Sequence, residues 1–80
     1  MSITVLLFAS YADALGGSSV VVEVPAEATA GDVVARVLSL PGAAQLPQRP
    51  LVAVNQRYAK ASTPVRSGDE VALIPPVAGG

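Results

Sequence analysis

The chain has 80 residues, a net charge of −1, and neither cysteine nor histidine. A chain of this length builds one small domain, and without those two residue types a disulfide scaffold and a Cys/His zinc site are excluded. Its five basic residues are scattered rather than gathered into a stripe, and its first apolar run is far too short to cross a bilayer. We therefore expect no nucleic-acid partner, no membrane association, no bound metal and a location in the cytoplasm.

The sequence also argues against an active site within the domain. Nucleophilic catalysis needs a nucleophile with a base beside it, and both the usual base, histidine, and the cysteine nucleophile are missing. The sequence contains no GxxxxGK[ST] loop that would hold phosphates. Of the six carboxylates only Asp69 and Glu70 are adjacent, and a turn aspartate followed by a solvated strand residue explains that pair.

The first elements in chain order are two strands with a short helical turn between them. Residues 3–8 are almost all apolar and rich in β-branched side chains, which predicts a strand that is buried on both faces and central in a sheet. Residues 9–15 are compatible with a helical turn that ends at the Gly16-Gly17 pair. Residues 18–24 contain four valines and predict a second strand, which Pro25 stops.

A capped helix is predicted after the second strand. Thr29 can accept hydrogen bonds from the first free amides, and Asp32 places negative charge at the positive end of the helix dipole. Pro41 and Gly42 are predicted to stop the helix. Apolar residues at three- and four-residue spacing give it one broad apolar face, formed by Val33, Val34, Val37, Leu38 and Leu40.

The remaining elements complete an α+β fold. Residues 51–54 predict a strand, Asn55-Gln56 a turn into a minor strand at 57–59, and residues 67–69 a second turn. Residues 70–74 predict the last strand, because the prolines that follow have no amide to donate. We therefore expect a mixed sheet packed on one main helix over residues 1–74, followed by an extended tail over residues 75–80.

The tail has the composition of a segment that is delivered into another protein. Two terminal glycines arise by chance in roughly one chain in two hundred. Pro75-Pro76 favours an extended polyproline conformation with a low ordering cost. Gly79 and Gly80 have no side chains, so this end can thread a narrow channel and leave the terminal carbonyl open to attack. The alternative is an ordinary frayed terminus.

Residues 68–80, GDEVALIPPVAGG, resemble the small subunits of molybdopterin synthase (MoaD), which belong to the MoaD/ThiS group of ubiquitin-like sulfur carriers. Residues 3–9 and 52–56 are similar to the first strand and the AVN segment of that family. The resemblance implies a ubiquitin-like β-grasp fold and a non-catalytic small subunit of a sulfurtransferase complex. It also implies that a ubiquitin-activating-type adenylyltransferase activates Gly80 with MgATP, and that Gly80 then carries sulfur as a thiocarboxylate for molybdenum cofactor synthesis. Gly79 would give the steric room for this chemistry.

The same resemblance implies a partner surface for the large synthase subunit. Phe8, Tyr58 and Ile74 fall where an apolar docking face is expected, although Phe8 and Ile74 are equally compatible with core positions. Tyr58 lies on the minor strand beside Arg57 and is predicted to be half exposed, as interface aromatic residues often are. The tail residues expected to enter the partner are Pro75, Pro76, Val77 and Ala78.

One departure and three alternatives stay open. Many family members carry a basic-acidic pair soon after the first strand, whereas Tyr11-Ala12-Asp13 offers only the acid. The alternatives are a thiamin-pathway sulfur carrier of the same fold, a protein modifier that links Gly80 to lysines, and an interaction module with an inert tail.

Overall fold

The computed structural model describes residues 1–44, 46–47 and 49–76, and these residues contain five strands and two helices. The elements are β1 (Ser2–Leu7), α1 (Ser10–Leu15), β2 (Ser19–Glu23), α2 (Ala30–Leu38), β3 (Leu51–Val54), β4 (Arg57–Tyr58) and β5 (Glu70–Ile74). This element order is the predicted one, and the bounds of β3 and β5 agree with the prediction to the residue.

The strands form one mixed sheet in the order β2-β1-β5-β3-β4. β1 and β5 run parallel, with Val5 opposite Val71, and the other three pairings are antiparallel. Parallel neighbours need a long crossover, and the chain between β1 and β5 contains all the other elements. The last strand therefore lies in the middle of the sheet, and the C-terminal tail leaves from the middle strand rather than from an edge.

Helix α2 begins as the sequence predicts. Thr29 is its N-cap and forms a capping box with Asp32: the Thr29 amide donates to Asp32 Oδ2 at 2.9 Å, and the Asp32 amide donates to Thr29 Oγ1 at 3.4 Å. The predicted end was too late, because the helix stops at Leu38, before Pro41-Gly42. The Ser39 hydroxyl donates to the Arg36 carbonyl at 2.7 Å, a local bond that competes with a further helical turn.

The core lies between α2 and one face of the sheet. Val33 and Val37 of the helix are fully buried. The strands contribute alternate residues to the same cluster, namely Ile3, Val5, Leu7, Val22, Val52, Val71 and Leu73. Successive side chains of a strand point to opposite faces, so the residues between these belong to the other face. That face carries no helix within the described part of the chain.

The prediction that β1 is buried on both faces was wrong. Ser2 and Thr4 are exposed and Leu6 is half-buried, whereas Ile3, Val5 and Leu7 are buried. The strand is interior to the sheet, as predicted, since β2 and β5 flank it. A single nine-residue helix covers only one face of five strands, and the apolar run in the sequence could not show which residues would remain uncovered.

The short helix α1 is confirmed and is fixed by its one aromatic residue. Tyr11 is fully buried and donates its hydroxyl to the Pro47 carbonyl at 2.5 Å. Burial of this hydroxyl raises the pKa of Tyr11. Gly16 ends the helix with φ near 78°, a left-handed conformation that glycine adopts without steric cost.

Candidate functional site

The exposed apolar side chains are concentrated on the face of the sheet opposite α2, which we call the open face. The described residues include four large apolar side chains that are exposed: Phe8 (47%), Val21 (61%), Leu51 (39%) and Tyr58 (75%). The register places all of them on the open face, because Val21 pairs with Thr4, Leu51 with Ile74, and Tyr58 with Ala53, while Phe8 follows Leu6 by two residues. Apolar surface gathered in this way is typical of an interaction site.

Part of the open face is concave, and we call this concavity the apolar groove. It has a volume of about 410 Å³. β5 forms its middle, with β1 on one side and the β3–β4 hairpin on the other. Its lining consists of Leu6, Phe8, Ala53, Gln56, Tyr58, Glu70, Ala72 and Ile74.

The three predicted docking residues all line the apolar groove. Phe8 is about half exposed, Ile74 is half-buried, and Tyr58 is more exposed than the sequence predicted. Neither Phe8 nor Ile74 belongs to the buried core cluster, which removes the alternative that they are ordinary core residues. Their role in binding a partner stays a prediction.

The sequence reasoning missed five residues of the groove lining. Leu6 and Ala72 precede Phe8 and Ile74 by two positions, so strand alternation was the signal that could have found them. Ala53 carries no such signal, because a small side chain is compatible with either face. Glu70 precedes Ile74 by four positions on β5, so the same alternation also indicates it. Gln56 lies in the turn between β3 and β4, and its place at the groove requires the folded chain.

The tail begins at the edge of the apolar groove. β5 ends at Ile74, Pro75 is half-buried and Pro76 is exposed. Pro75 directly follows Ile74 of the groove, so a partner that covers the groove is also next to the start of the tail. The predicted site residues Val77, Ala78, Gly79 and Gly80 lie outside the described residues.

Two polar residues, Asn55 and Asp69, hold the β3–β4 hairpin against the start of β5, and we call them the polar clamp. Asn55 Oδ1 accepts from the Glu70 amide at 3.0 Å, and Asn55 Nδ2 donates to Asp69 Oδ1 at 3.1 Å. Asp69 Oδ2 accepts from the Arg66 amide at 2.7 Å. The clamp therefore joins the two sequence segments, AVN and GDE, that carry the family resemblance.

The clamp stabilises a strained turn. Asn55 and Gln56 have φ values of 52° and 70°, in the left-handed region that side-chain-bearing residues seldom adopt. This turn places Gln56 and Tyr58 along the apolar groove. The hydrogen bond from the Asn55 side chain, followed by that from the Arg66 amide, lowers the pKa of Asp69, and the charge of Arg66 adds a smaller effect.

A second concavity, which we call the acidic groove, lies beside the apolar groove on the open face. It measures about 360 Å³ and is lined by Ser2, Thr4, Leu6, Gly68, Asp69 and Glu70. Among the described residues, no group of three or more His, Cys, Asp or Glu could hold a metal ion. Neither helix of the described chain has the length and apolarity that a bilayer crossing requires.

Comparison with known proteins identifies the family of this chain. The ThiS family matches residues 5–80. A relative from Dictyostelium discoideum, described as a molybdopterin synthase sulfur carrier subunit, is 32% identical over an alignment of 80 positions that covers 95% of this chain and 93% of the relative.

Solved structures confirm the β-grasp fold. The crystal structure of SAMP1 from Haloferax volcanii is 31% identical, covers all of both chains and superposes with a TM-score of 0.82. A putative molybdopterin converting factor subunit 1 from Pyrococcus furiosus superposes with a TM-score of 0.79 over 96% of this chain and 99% of its own. At 21% identity the latter shows the fold alone. The predicted ubiquitin-like α+β architecture is thus correct.

Proposed function

The chain belongs to the ThiS family of ubiquitin-like sulfur carriers, and on that premise we propose that it carries sulfur for molybdopterin synthesis as a thiocarboxylate on Gly80. The observation that carries the proposal is the near full-length match to a molybdopterin synthase sulfur carrier subunit. The Pro75-Pro76 and Gly79-Gly80 pairs of the sequence agree with it. The cytoplasm, with its supply of ATP, is the proposed compartment.

The proposed loading reaction needs a partner, because a carboxylate is a poor electrophile. An adenylyltransferase of the ubiquitin-activating type binds MgATP, and a carboxylate oxygen of Gly80 attacks the α-phosphorus while pyrophosphate leaves. Hydrosulfide, the simplest sulfur donor, then attacks the acyl carbon and releases a proton, and AMP departs with the former carboxylate oxygen. One oxygen has been replaced by sulfur without oxidation or reduction of the acyl carbon. The carrier contributes an unobstructed acyl group, for which Gly79 leaves room.

The large subunit of molybdopterin synthase is the proposed acceptor of the loaded tail. We propose that it covers the apolar groove through Phe8, Tyr58 and Ile74 and receives residues 75–80 in its own cleft. The contiguity of groove and tail supports this arrangement, since Ile74 lines the groove and directly precedes Pro75. Burial of Phe8 and Tyr58 supplies the kind of aromatic anchor that dominates interface energetics.

Intact mass spectrometry tests the loading reaction. The chain is incubated with the activating enzyme, MgATP and sulfide, and the expected product has gained the mass of one oxygen-to-sulfur exchange, which fragmentation places on Gly80. A variant without Gly79 and Gly80 is the matched control and stays unmodified. An unchanged mass under conditions that modify a known carrier contradicts the proposal.

Protein modification is a second candidate, favoured by the match to SAMP1. SAMP1 is described as a small archaeal modifier protein, and it is 31% identical to this chain over the whole of both chains. The adenylate of Gly80 would in this case be attacked by a lysine amine, which releases AMP and forms an isopeptide bond. Conjugates in cell lysate that disappear when Gly80 is deleted support modification, whereas a stable complex with the large synthase subunit and no conjugates supports sulfur transfer alone.

A further inference from the structure

The open face changes chemistry along the length of its central strand. At the end of β5, Ala72 and Ile74 lie in the apolar groove next to the start of the tail. At its beginning, Glu70 lines both the apolar and the acidic groove. Glu70 pairs with Thr4 of β1 in the sheet register, so it stands near the middle of the sheet rather than at an edge.

The carboxylate of Glu70 is exposed and has no protein partner within the described residues. The Glu70 hydrogen bonds in the structure belong to its main chain, whose amide donates to Asn55 Oδ1 and whose carbonyl accepts from the Asn55 amide. The other carboxylates of this face are occupied. Both oxygens of Asp69 accept hydrogen bonds, and Glu23 accepts from the Ser2 hydroxyl.

No hydrogen bond or ion pair joins Glu70 to a basic side chain within the described residues, and the charge of Arg66 acts on the neighbouring Asp69. No lysine or arginine is among the described residues that line either groove. Arg36 donates to the Glu23 carbonyl from α2, and Arg49 lines a separate concavity beside Val34 of α2. Arg57 precedes Tyr58 on β4 and therefore points away from the open face.

A partner that covers the apolar groove must also cover Glu70, because this residue forms part of the groove lining. A carboxylate that loses its water without gaining a cation or donors is strongly destabilised. The partner surface therefore has to supply a compensating charge where Glu70 is covered.

We infer that the partner of the apolar groove places a lysine or arginine side chain against Glu70, about 13 Å from the start of the tail at Ile74, the span of four strand residues. This inference rests on the proposed function and specifies its partner surface. The partner surface is therefore apolar next to the cleft that receives the tail, and it carries a basic side chain about 13 Å away, opposite Glu70. The combination fixes the direction in which the carrier docks.

The test compares Glu70→Gln with Glu27→Gln, which removes an exposed carboxylate that lines neither groove. Binding of each chain to purified molybdopterin synthase large subunit is titrated at low and at high salt. We expect Glu70→Gln to bind about tenfold more weakly at low salt and to lose part of the salt dependence. Glu70→Lys should bind more weakly still, and Glu27→Gln should behave as the wild type.

Each outcome decides the inference. If Glu70→Gln matches the wild type in affinity and salt dependence while the wild type binds, the cation opposite Glu70 does not exist and the proposed function stands. If the wild-type chain fails to bind the large subunit, both proposals are wrong. Thermal unfolding of the variants serves as the folding control, and we expect unchanged midpoints because Glu70 is exposed and its side chain makes no bond within the described chain.

Discussion

The two faces of the sheet are built from the same strands and differ in almost every physical property. In β5, Val71 and Leu73 are fully buried on the face that α2 covers, while Glu70 and Ile74, which flank this pair, lie on the open face. The face beneath α2 is a continuous apolar layer. The open face mixes aromatic and aliphatic side chains with hydroxyls and carboxylates, and its apolar groove borders the start of the tail.

If the proposed docking on the open face is correct, this small domain separates stability from recognition. Successive strand residues alternate between the faces, so neighbouring residues can serve folding and binding independently. One helix supplies enough apolar surface to cover one face, and the other face carries no helix among the residues that the structure describes. The separation can be tested residue by residue. A substitution on the buried face should lower stability, whereas one on the open face should change binding and leave stability nearly unchanged.

The largest effect is expected from Leu73→Ala on the buried face. Leu73 is fully buried in the core cluster, and truncation of such a side chain typically costs about 2–5 kcal/mol of stability. Urea unfolding measures the loss. Ile74→Ala, one residue further along the same strand, is the matched control and should cost about 1 kcal/mol or less. Equal losses for the two variants would break the contrast between the faces.

The next effect is expected from Tyr58→Ala on the open face. Tyr58 is 75% exposed, so its removal should change the free energy of unfolding by less than about 0.5 kcal/mol. Because Tyr58 is an aromatic anchor of the groove, its removal should cost about 2 kcal/mol of binding free energy to the large synthase subunit, which weakens affinity roughly thirtyfold. Calorimetric titration and thermal unfolding are measured on the same sample.

Val21→Ala is the control for that variant. Val21 is 61% exposed on the same face but does not line the apolar groove, so its truncation should leave affinity unchanged. A parallel loss of stability and affinity in Tyr58→Ala would show that the residue supports the fold rather than the interface.

Much of the buried face could be predicted from the sequence, because its signals are local. The capping residues of α2 lie three positions apart, and β3 and β5 are bounded by turn residues and prolines that are next to them in the chain. The exposed half of β1 could not be predicted, since an apolar run gives no sign of how many helices will cover the sheet. Its β-branched residues are compatible with both outcomes.

The open face depends on contacts that are distant in the sequence. Phe8 and Tyr58 were identified through the family resemblance, and only the sheet order shows that they share one groove with Ile74. The polar clamp joins Asn55 to Asp69 across 14 positions of the chain. No local pattern marks either residue as a partner of the other, so the support of the hairpin emerges only in the folded state.

A smaller effect is expected from substitution of Asn55, because its side chain contributes both to stability and to the position of the hairpin along the apolar groove. Asn55→Ala removes the side-chain bonds to the Glu70 amide and to Asp69 and places alanine at a positive φ, which together should cost about 1–2 kcal/mol of stability. It should also weaken binding, because the hairpin carries Gln56 and Tyr58 along the groove. Hydrogen exchange of the hairpin amides should accelerate more than that of α2.

Asn55→Gly separates the two causes. Glycine accepts the left-handed conformation but still lacks the side-chain bonds, so its stability should lie between those of the alanine variant and the wild type. If both variants are as stable as the wild type, the clamp side chains contribute nothing and the hairpin is held by main-chain hydrogen bonds alone, within β3–β4 and between β3 and β5.

The smallest effect is the pH dependence that the clamp gives to stability. The Asn55 side chain, the Arg66 amide and then the Arg66 charge hold the pKa of Asp69 below its ordinary value in the folded chain. A carboxylate with a lowered folded pKa stabilises the fold at pH values above its unfolded pKa, and this contribution is lost as the pH falls through the folded pKa. Asp69→Asn should therefore be less stable than the wild type near neutral pH, and the difference should shrink below about pH 4.

Urea unfolding across this pH range measures the difference in stability. Asp13→Asn, on the exposed surface of α1, is the control for the loss of one negative charge. If the difference in stability between Asp69→Asn and the wild type does not change with pH, the charge of Asp69 does not strengthen the clamp. The contribution of the clamp to the β3–β4 hairpin would then come from Asn55 alone.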